Sequence, residues 1–351
     1  MIGGHPKILV IRLSAIGDVV RVLPAVAALR NAFPSAQIDW AVENTAADIL
    51  RENPLLDRLF VFDRGPRWLQ SALLFWNLMR RLRDQQYDIA IDFHGIFKSG
   101  LLLRATQAPR RIAFAPPRAR EGSHRFANEW AMLSAPIMNR VDENLELCST
   151  ITGDNEPIRY HFQIDKQINV DVFRTVTEQR KNRPWLALVH APVDRPEKRW
   201  PAERFAKLID MLMEDGRFDV VLTHGPGQRQ MLTTILLKCK HEPIVPPQCE
   251  SLREFAGLAS KASLYIGTDT GPMHIAAAVG TPVVAVFGGT SPLMHSPVGA
   301  SSRVLGGVTL GDRMDRVSLE ASVDVLEAVK MEEVYAAAVE LLNQSGVPHH
   351  L

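Results

Sequence analysis

The segment S-L-Y-I-G-T-D-T-G-P-M-H at 263–274 has the residue types and spacing of an anion-binding turn. An apolar run leads into it, and a proline stands where a helix would take its first residue. Free backbone N–H groups and the helix dipole favour an anion there, and Gly271 lets a phosphate approach the backbone closely. Asp269 or Thr270 serving only as a helix cap is the competing interpretation. Capping does not account for the whole run ending in His274, so we predict a phosphate site.

A second candidate is Lys198, in the loop that follows an apolar run at 185–190. A Trp-Pro pair at 200–201 anchors this loop before the next helical pattern. A fixed cation here would neutralise charge on a leaving diphosphate, as metal ions do elsewhere. A solvated surface lysine is the alternative, and the anchor favours the positioned one. Gly225 and Gly227 form a further turn after a strand and would admit a nucleotide near the backbone.

The third candidate is Asp18, which ends the connection S-A-I-G-D at 14–18 between the first predicted strand and helix. This connection is not the G-x-G-x-x-G of a dinucleotide site, so a dehydrogenase is not expected. A carboxylate at the start of a helix can cap that helix or act as a general base toward an incoming hydroxyl. On these residues alone, capping is the favoured interpretation.

The elements that must position these residues alternate between apolar strand patterns and helical patterns along the whole chain. The alternation predicts an α/β fold with parallel sheets and crossover helices. The predicted strands lie at 7–13, 37–42, 58–62, 88–93, 110–114, 185–190, 219–223, 243–245, 263–267 and 282–287. The predicted helices include 19–33, 203–215, 228–238, 252–260, 272–279 and 331–342.

A polar stretch at 152–183 without clear periodicity is the predicted connection between two similar α/β halves. The expected domains are one at 1–165 and one at 184–330, followed by a helix with a tail at 331–351. In such sheets, ligands bind beyond the carboxyl ends of the strands. The site is therefore expected in the cleft between the halves.

Composition narrows the class of protein. The chain has 351 residues, of which 46% are apolar and 23% charged, as in soluble globular proteins. No apolar run approaches the length of a membrane span, and no secretory leader is expected. The three cysteines have no paired spacing, so neither a zinc site nor a disulfide framework is expected.

The charge is unevenly distributed, which indicates a partner. Residues 1–140 carry 19 Lys and Arg against 12 Asp and Glu, and the remainder carries 21 against 27. Seventeen of the 19 basic residues are arginines, which form forked contacts with phosphates and carboxylates. An anionic partner for the first half is one interpretation, and attraction between the two halves is the other. Nucleic acid is not expected, because no binding module is recognisable.

Four motifs together resemble glycosyltransferase family 9, the heptosyltransferases that build the inner core of bacterial lipopolysaccharide. They are S-x-x-G-D at 14–18, D-F-H-G-I-F-K-S at 92–99, K-R-W-P at 198–201 and G-T-D-T-G-P-M-H at 267–274. The resemblance spans nearly the whole chain. It implies a GT-B fold, with two Rossmann-like doubly wound domains facing across a cleft, the domain at 1–165 binding the acceptor and the domain at 184–330 binding the nucleotide sugar. It also implies inverting, metal-independent transfer from the donor substrate ADP-L-glycero-D-manno-heptose, with no cofactor.

The resemblance assigns roles residue by residue, and it places base ahead of cap for Asp18. Asp18 matches the catalytic base, Lys198 the lysine on the donor's diphosphate and sugar, and Asp269 the acid that binds heptose hydroxyls. The remaining donor-binding candidates are Thr270, Gly271, His274, Gly225 and Gly227. The acceptor-binding candidates are Lys98 and Ser99 from the second motif and the arginines Arg64, Arg67 and Arg120.

Three segments depart from the family pattern. Residues 191–193 are Ala-Pro-Val where hydroxyl residues often hold the donor phosphates. Gln228 and Arg229 stand where an acidic residue often touches the nucleotide, and Gly289 stands where proline is usual. The first two bear on the identity of the nucleotide and sugar.

The expected acceptor is an anionic lipopolysaccharide precursor, Kdo–lipid A or a heptosylated core. The enzyme is then expected in the cytoplasm, peripheral on the inner face of the inner membrane. The leucines at 73, 74, 78 and 82 beside arginines at 80, 81 and 83 suggest an interfacial helix, although a buried amphipathic helix is the favoured interpretation. Alternatives for the whole chain are a hexosyltransferase or epimerase on the same fold, or a non-catalytic protein that binds nucleotide sugar or glycolipid.

Overall fold

The computed structural model describes residues 5–153, 170–191, 195–309 and 317–345. The chain divides into two compact units, residues 1–165 and 166–351. The first unit contains β1 (Lys7–Ile11), α1 (Ile16–Val20), α2 (Leu23–Ala32), β2 (Gln37–Glu43), α3 (Asn44–Ala47), β3 (Arg58–Phe62), α4 (Trp68–Asp84), β4 (Ile89–Asp92), α5 (Phe97–Ala105), β5 (Arg110–Phe114), β6 (Glu129–Ala131) and α6 (Arg140–Thr152).

The second unit repeats the alternation of strand and helix. It contains α7 (Val170–Gln179), β7 (Trp185–His190), α8 (Ala202–Glu214), β8 (Phe218–Thr223), α9 (Arg229–Leu236), α10 (Leu252–Lys261), β9 (Leu264–Thr268), α11 (Gly271–Ala278), β10 (Val283–Phe287), α12 (Pro292–His295), β11 (Ser302–Gly306), α13 (Leu319–Ala328) and α14 (Met331–Ser345).

Both sheets are parallel and doubly wound, which confirms the predicted fold class. The first has the order β3-β2-β1-β4-β5-β6, and the second has the order β11-β10-β9-β7-β8. The central strands are buried along their length because helices cover both faces. Each sheet has its own apolar core, centred on residues such as Leu9 and Tyr87 in the first and Trp200 and Phe218 in the second.

Sheet topology determines which loops meet. In the first sheet β1 and β4 are neighbours, although the chain leaves them toward opposite edges. In the second sheet β7 and β9 have the same relation. Ligands bind to doubly wound sheets at such switch points, beyond the carboxyl ends of the two strands. The loops after β1, β4, β7 and β9 are therefore the candidates for a site.

The structure corrects several predicted elements. The single helix predicted at 19–33 is two helices, α1 and α2, because Pro24 lacks the N–H that a continuous helix would use. The strand predicted at 243–245 is only one bridge, between Ile244 and Val221. The short strands β6 and β11 and the helix α13 were not predicted.

The predicted polar connection at 152–183 contains a helix, α7, which buries Val172 and Val176 one turn apart. Residues 154–169, and the tail after Ser345, lie outside the described part of the chain. The predicted C-terminal helix is present as α14, and it packs on α8, β10 and β11 within the second unit. Within the described residues, no helix is long and apolar enough to cross a bilayer.

Candidate active site

A buried ion pair joins the two switch-point loops of the second unit. Lys198, in the loop after β7, places its Nζ atom 2.8 Å from Oδ2 of Asp269, which follows β9. The same ammonium donates to the Asp269 carbonyl oxygen at 2.6 Å. The hydroxyl of Thr290 donates to Oδ2 of Asp269 at 2.9 Å. The structure thus brings together Lys198 and Asp269, two of the seven predicted donor-binding residues, and adds Thr290.

The surroundings keep Asp269 ionised although the residue is buried. Burial alone raises the pKa of a carboxyl, but Lys198, His295 and His274 outweigh it and hold the pKa of Asp269 well below its usual range. Nε2 of His274 lies 4.0 Å from Oδ1 of Asp269. The site therefore presents an ionised carboxylate that Lys198 holds, with His274 nearby.

The helix α11 begins where the sequence predicts, but the side chain of its first flanking residue does not cap it. Thr270 is the first flanking residue, with extended backbone, and its side chain makes no capping bond to the helix. Its hydroxyl instead donates to the carbonyl oxygen of Thr268 at 3.3 Å. Asp269 is held by Lys198. The competing interpretation of Asp269 or Thr270 as a cap is therefore not realised, and the first N–H groups of α11, beginning at Gly271, have no side-chain cap.

Sequence reasoning missed the contact between Tyr265 and Gly267. The two residues lie on the same face of β9, because side chains alternate along a strand. A Cβ atom added at Gly267 would lie 2.4 Å from the Tyr265 hydroxyl oxygen, so the glycine makes room for that hydroxyl. The hydroxyl is buried, and burial raises the pKa of Tyr265, an effect that the Thr270 side chain partly offsets.

His190, at the end of β7, extends this cluster. Its ring stacks on the ring of Tyr265, with the two ring centres 6.5 Å apart. It meets the ring of Phe255 edge-on, with the ring centres 5.2 Å apart. Nδ1 of His190 lies 3.0 Å from the Thr223 hydroxyl. Burial, with a smaller contribution from His224, lowers the pKa of His190 to about 3, so the ring is neutral at physiological pH.

The predicted glycine turn follows β8 and borders a pocket. Gly227 adopts a left-handed conformation, with φ of 78°, which glycine adopts without strain. Gln228, one of the departures from the family pattern, accepts the N–H of Gly225 at 3.0 Å and closes the turn. A pocket of about 490 Å³ lies beside it, lined in part by His224 and Val245. The turn and the pocket lie at the carboxyl end of the same strand.

In the first unit, Asp18 lies in α1 at the switch point and is held by two arginines. Its carboxylate forms ion pairs with Arg12 and Arg21, whose side chains are almost fully buried. The carboxylate also accepts the backbone N–H of Ala15 at a long 3.4 Å. Arg12 is fixed in turn through a 2.8 Å bond to the carbonyl oxygen of Phe93. The sequence did not predict either arginine as a site residue, because both lie outside the four family motifs.

The loop after β4 is organised by Asp92, not by a ligand. Its buried carboxylate accepts the backbone N–H groups of His94 and Gly95, at 2.9 and 3.1 Å, and the hydroxyl of Ser99 at 2.8 Å. Ser99, predicted to bind the acceptor, is fully buried and also accepts the N–H of Ile96. The structure therefore gives Ser99 a role in holding this loop in shape.

His94 faces the Asp18 cluster from the opposite loop. Its Nδ1 lies 3.4 Å from the N–H of Leu13, on the loop that carries Asp18. Burial and the charge of Arg12 lower the pKa of His94 to about 3. A neutral ring that accepts at Nδ1 carries its proton on Nε2. His94 thus adds a hydrogen-bond donor that was not among the predicted site residues.

Lys98 and Arg64 share one buried carboxylate. Nζ of Lys98 lies 2.8 Å from Oε1 of Glu43, and Arg64 lies 3.0 Å from Oε2. The Lys98 ammonium also lies over the ring of Phe62, at 4.1 Å from its centre. One acidic group against two basic ones leaves this cluster with an excess positive charge, and Arg64 is its exposed member.

The predicted arginine-rich surface is smaller than the sequence suggests. Arg110 forms a forked pair with Glu129, with both contacts at 2.8 Å, and Arg118 pairs with Glu143 at 2.6 Å. Arg67 and Arg120, both predicted acceptor residues, have exposed side chains. Arg120 also ties its backbone to the loop after β4, through a 2.7 Å bond to the Gly95 carbonyl oxygen.

Each unit is a doubly wound parallel sheet with acidic and basic side chains at its switch point. The model of glycosyltransferase family 9 (heptosyltransferase) matches residues 75–322, and the chain belongs to that family. Within the described ranges, no group of three or more His, Cys, Asp and Glu residues is placed to hold a metal ion.

Known relatives cover most of the chain. The lipopolysaccharide heptosyltransferase 3 of Escherichia coli K12 is 27% identical over 94% of this chain and 96% of its own length. The lipopolysaccharide core heptosyltransferase OpsX of Haemophilus influenzae is 26% identical over 83% of this chain and 82% of its own. The crystallised E. coli ADP-heptose lipopolysaccharide heptosyltransferase II has a TM-score of 0.75, is 22% identical, and covers 97% of this chain and 100% of its own.

The contact between Tyr265 and Gly267 predicts a steric coupling. Gly267→Ala should lower the free energy of unfolding by about 1–3 kcal/mol, because the new methyl group overlaps the tyrosine ring and hydroxyl. The same change in a Tyr265→Leu background should cost much less. Urea unfolding of the wild type, both single variants and the double variant measures the coupling. Additive costs would contradict it.

The buried neutral His190 predicts an acid-sensitive fold. The pKa of His190 is about 3 in the folded chain and 6.5 in the unfolded chain. Between these two pH values the unfolded chain binds a proton at this residue and the folded chain does not. The stability that depends on this histidine should therefore decrease as the pH falls from about 7 toward 3, by roughly 2 kcal/mol at pH 5.

The comparison with His190→Gln isolates this contribution, because glutamine keeps polar atoms and does not titrate. The difference in unfolding free energy between the wild type and this variant should shrink between pH 7.5 and pH 5. An unchanged difference would mean that His190 has the same pKa in the folded and in the unfolded chain.

Proposed function

We propose that the protein transfers heptose from ADP-L-glycero-D-manno-heptose to the inner core of lipopolysaccharide, with inversion and without a metal ion. The observation that carries the proposal is the Lys198–Asp269 pair beside the uncapped start of α11, in a chain of this family. The named relatives act in lipopolysaccharide synthesis, which supports the same substrate class.

The second unit supplies the donor side of the reaction. The first N–H groups of α11 bind the diphosphate, since a helix start favours anions. Lys198 balances the charge that develops on the leaving diphosphate, and this stabilises an oxocarbenium-like transition state. Asp269, held by Lys198 and Thr290, accepts hydrogen bonds from heptose hydroxyls. The pocket beside Gly225 and Gly227 takes the adenine, because Leu232, Val245 and Pro246 offer apolar surface to a flat base and polar side chains share the lining.

The first unit supplies the acceptor side. Asp18 removes the proton from the attacking hydroxyl, and Arg12 and Arg21 fix the orientation of its carboxylate. Direct attack on the anomeric carbon inverts its configuration and needs no covalent intermediate. The cations Lys98, Arg64, Arg67 and Arg120 bind the anionic acceptor, Kdo–lipid A or a heptosylated core. This acceptor is anchored in lipid, so the enzyme works in the cytoplasm as a peripheral protein on the inner membrane.

The first test measures ADP release from ADP-heptose with a Kdo₂–lipid A acceptor, in EDTA, for the wild type and Asp18→Asn. We expect acceptor-dependent release in the wild type and a loss of about 10²- to 10⁴-fold in the variant, because a general base contributes on that scale. The matched control is Asp57→Asn, since Asp57 also pairs with an arginine, Arg30, at 2.7 Å. Nuclear magnetic resonance of the product gives the anomeric configuration.

Each outcome separates the alternatives. Release that is equal in Asp18→Asn would remove the base assignment and leave the transferase. Turnover of the nucleotide sugar without an acceptor would indicate an epimerase. Donor binding without turnover on any acceptor would indicate a binding protein, and release that EDTA abolishes would overturn the metal-free mechanism.

A second test addresses the donor pair. Removing Lys198 alone would leave a buried carboxylate unpaired and destabilise the fold, so Lys198→Met is combined with Asp269→Asn. We expect the double variant to fold but to raise the KM for ADP-heptose by roughly 10- to 100-fold and to lower kcat, because two charged hydrogen bonds to the donor are lost. Unchanged donor kinetics in a folded double variant would exclude the pair from the site.

A further inference from the structure

Helix α4 carries an apolar face that the fold does not cover. Its buried face consists of Leu78 and Leu82, with Phe75 and Met79 partly buried against the same core. The other apolar side chains, in the first half of the helix, point to solvent. Trp68 is 78% exposed, Leu69 57%, Leu73 63% and Trp76 51%. The favoured sequence interpretation, a helix that buries its apolar residues, is therefore wrong for this half of α4.

The exposed residues form one continuous stripe. Positions 68, 72 and 76 recur every four residues, and positions 69, 73 and 76 follow the same helical period, so they share one face. We call this the α4 stripe and define it as Trp68, Leu69, Ala72, Leu73 and Trp76. An exposed contiguous apolar stripe on a protein marks a binding surface.

The charges around the stripe indicate which partner it fits. Residues 64–83 contain five arginines and no Asp or Glu. Arg80 continues the stripe by one helical turn, and its guanidinium lies 4.9 Å from the centre of the Trp76 ring. Arg83 follows one turn later on the same side. Tryptophan is the side chain that prefers the boundary between lipid and water, and arginine binds anionic headgroups there.

We propose that the α4 stripe docks the enzyme on an anionic bilayer by inserting Trp68, Leu69, Leu73 and Trp76 among the headgroups while Arg80 and Arg83 bind lipid phosphates. The proposal rests on the proposed function only for its membrane-anchored acceptor. A second copy of the chain is the other occupant of an apolar stripe, but two copies meeting here would share an interface to which each brings a segment with five arginines and no Asp or Glu. Charge complementarity therefore favours the bilayer.

The test is flotation of the full chain with vesicles of phosphatidylcholine, with and without 30% phosphatidylglycerol. We expect binding to the anionic vesicles only. Leu69→Asp with Leu73→Asp should weaken it by at least about tenfold, because two apolar side chains no longer enter the lipid. The matched control is Leu237→Asp with Leu319→Asp, which replaces two equally exposed leucines elsewhere. Arg80→Gln with Arg83→Gln should weaken binding at low salt and flatten its salt dependence.

Turnover separates this proposal from the proposed function. Leu69→Asp with Leu73→Asp should retain wild-type turnover on a detergent-dispersed acceptor and lose it on an acceptor embedded in vesicles. Wild-type protein that fails to float, or leucine variants that float normally, would overturn the docking surface. So would a concentration-dependent dimer that only the leucine variants abolish. An absence of turnover in detergent would count against the transferase and not against the surface.

Discussion

The ion pair between Lys198 and Asp269 is the interaction on which the second unit's site depends. A carboxylate buried to this extent stays charged only beside a cation, so the pair fixes the loop after β7 against the turn after β9. Because Lys198 also binds the Asp269 carbonyl oxygen, it holds the backbone at the entrance to α11 as well. One lysine thereby sets both the charge and the shape of the surface that an anion would meet.

The first unit also pairs a carboxylate with basic side chains, but there the basic side chains outnumber the carboxylate. At its switch point two nearly buried arginines, Arg12 and Arg21, surround one carboxylate, and a neutral histidine, His94, completes the cluster. Both clusters lie at a switch point, where the connections that follow two neighbouring parallel strands run to opposite edges of the sheet. The sheet order, and not any single motif, is therefore what brings Lys198 to Asp269, 71 residues later, and His94 to Leu13, 81 residues earlier.

Periodicity and turn chemistry predicted most of what the backbone does, including the two parallel sheets and the helices that follow the glycine turns. The failures have physical causes. Short edge strands such as β6 carry too few residues for a pattern, and Pro24 interrupts an apolar period that otherwise continues.

For the site, motif residues such as Asp269 could be identified, but Arg12, Thr290 and His94 could not. Their roles arise from contacts across strands, and a single sequence does not record such contacts. The roles assigned to Ser99 and to the arginines illustrate the reverse case, since residue type suggested a ligand contact where the fold uses some of them internally.

The space that Gly267 leaves for Tyr265 also limits how this chain can change over generations. An alanine at position 267 meets the tyrosine side chain before any other part of the molecule, whereas a smaller residue at position 265 introduces no overlap. The tyrosine must therefore be replaced by a smaller residue before the glycine can be replaced by a larger one. Homologues that carry a larger residue at the equivalent of position 267 should thus carry a small one two positions earlier, and intermediates with both large residues should be missing from the lineage.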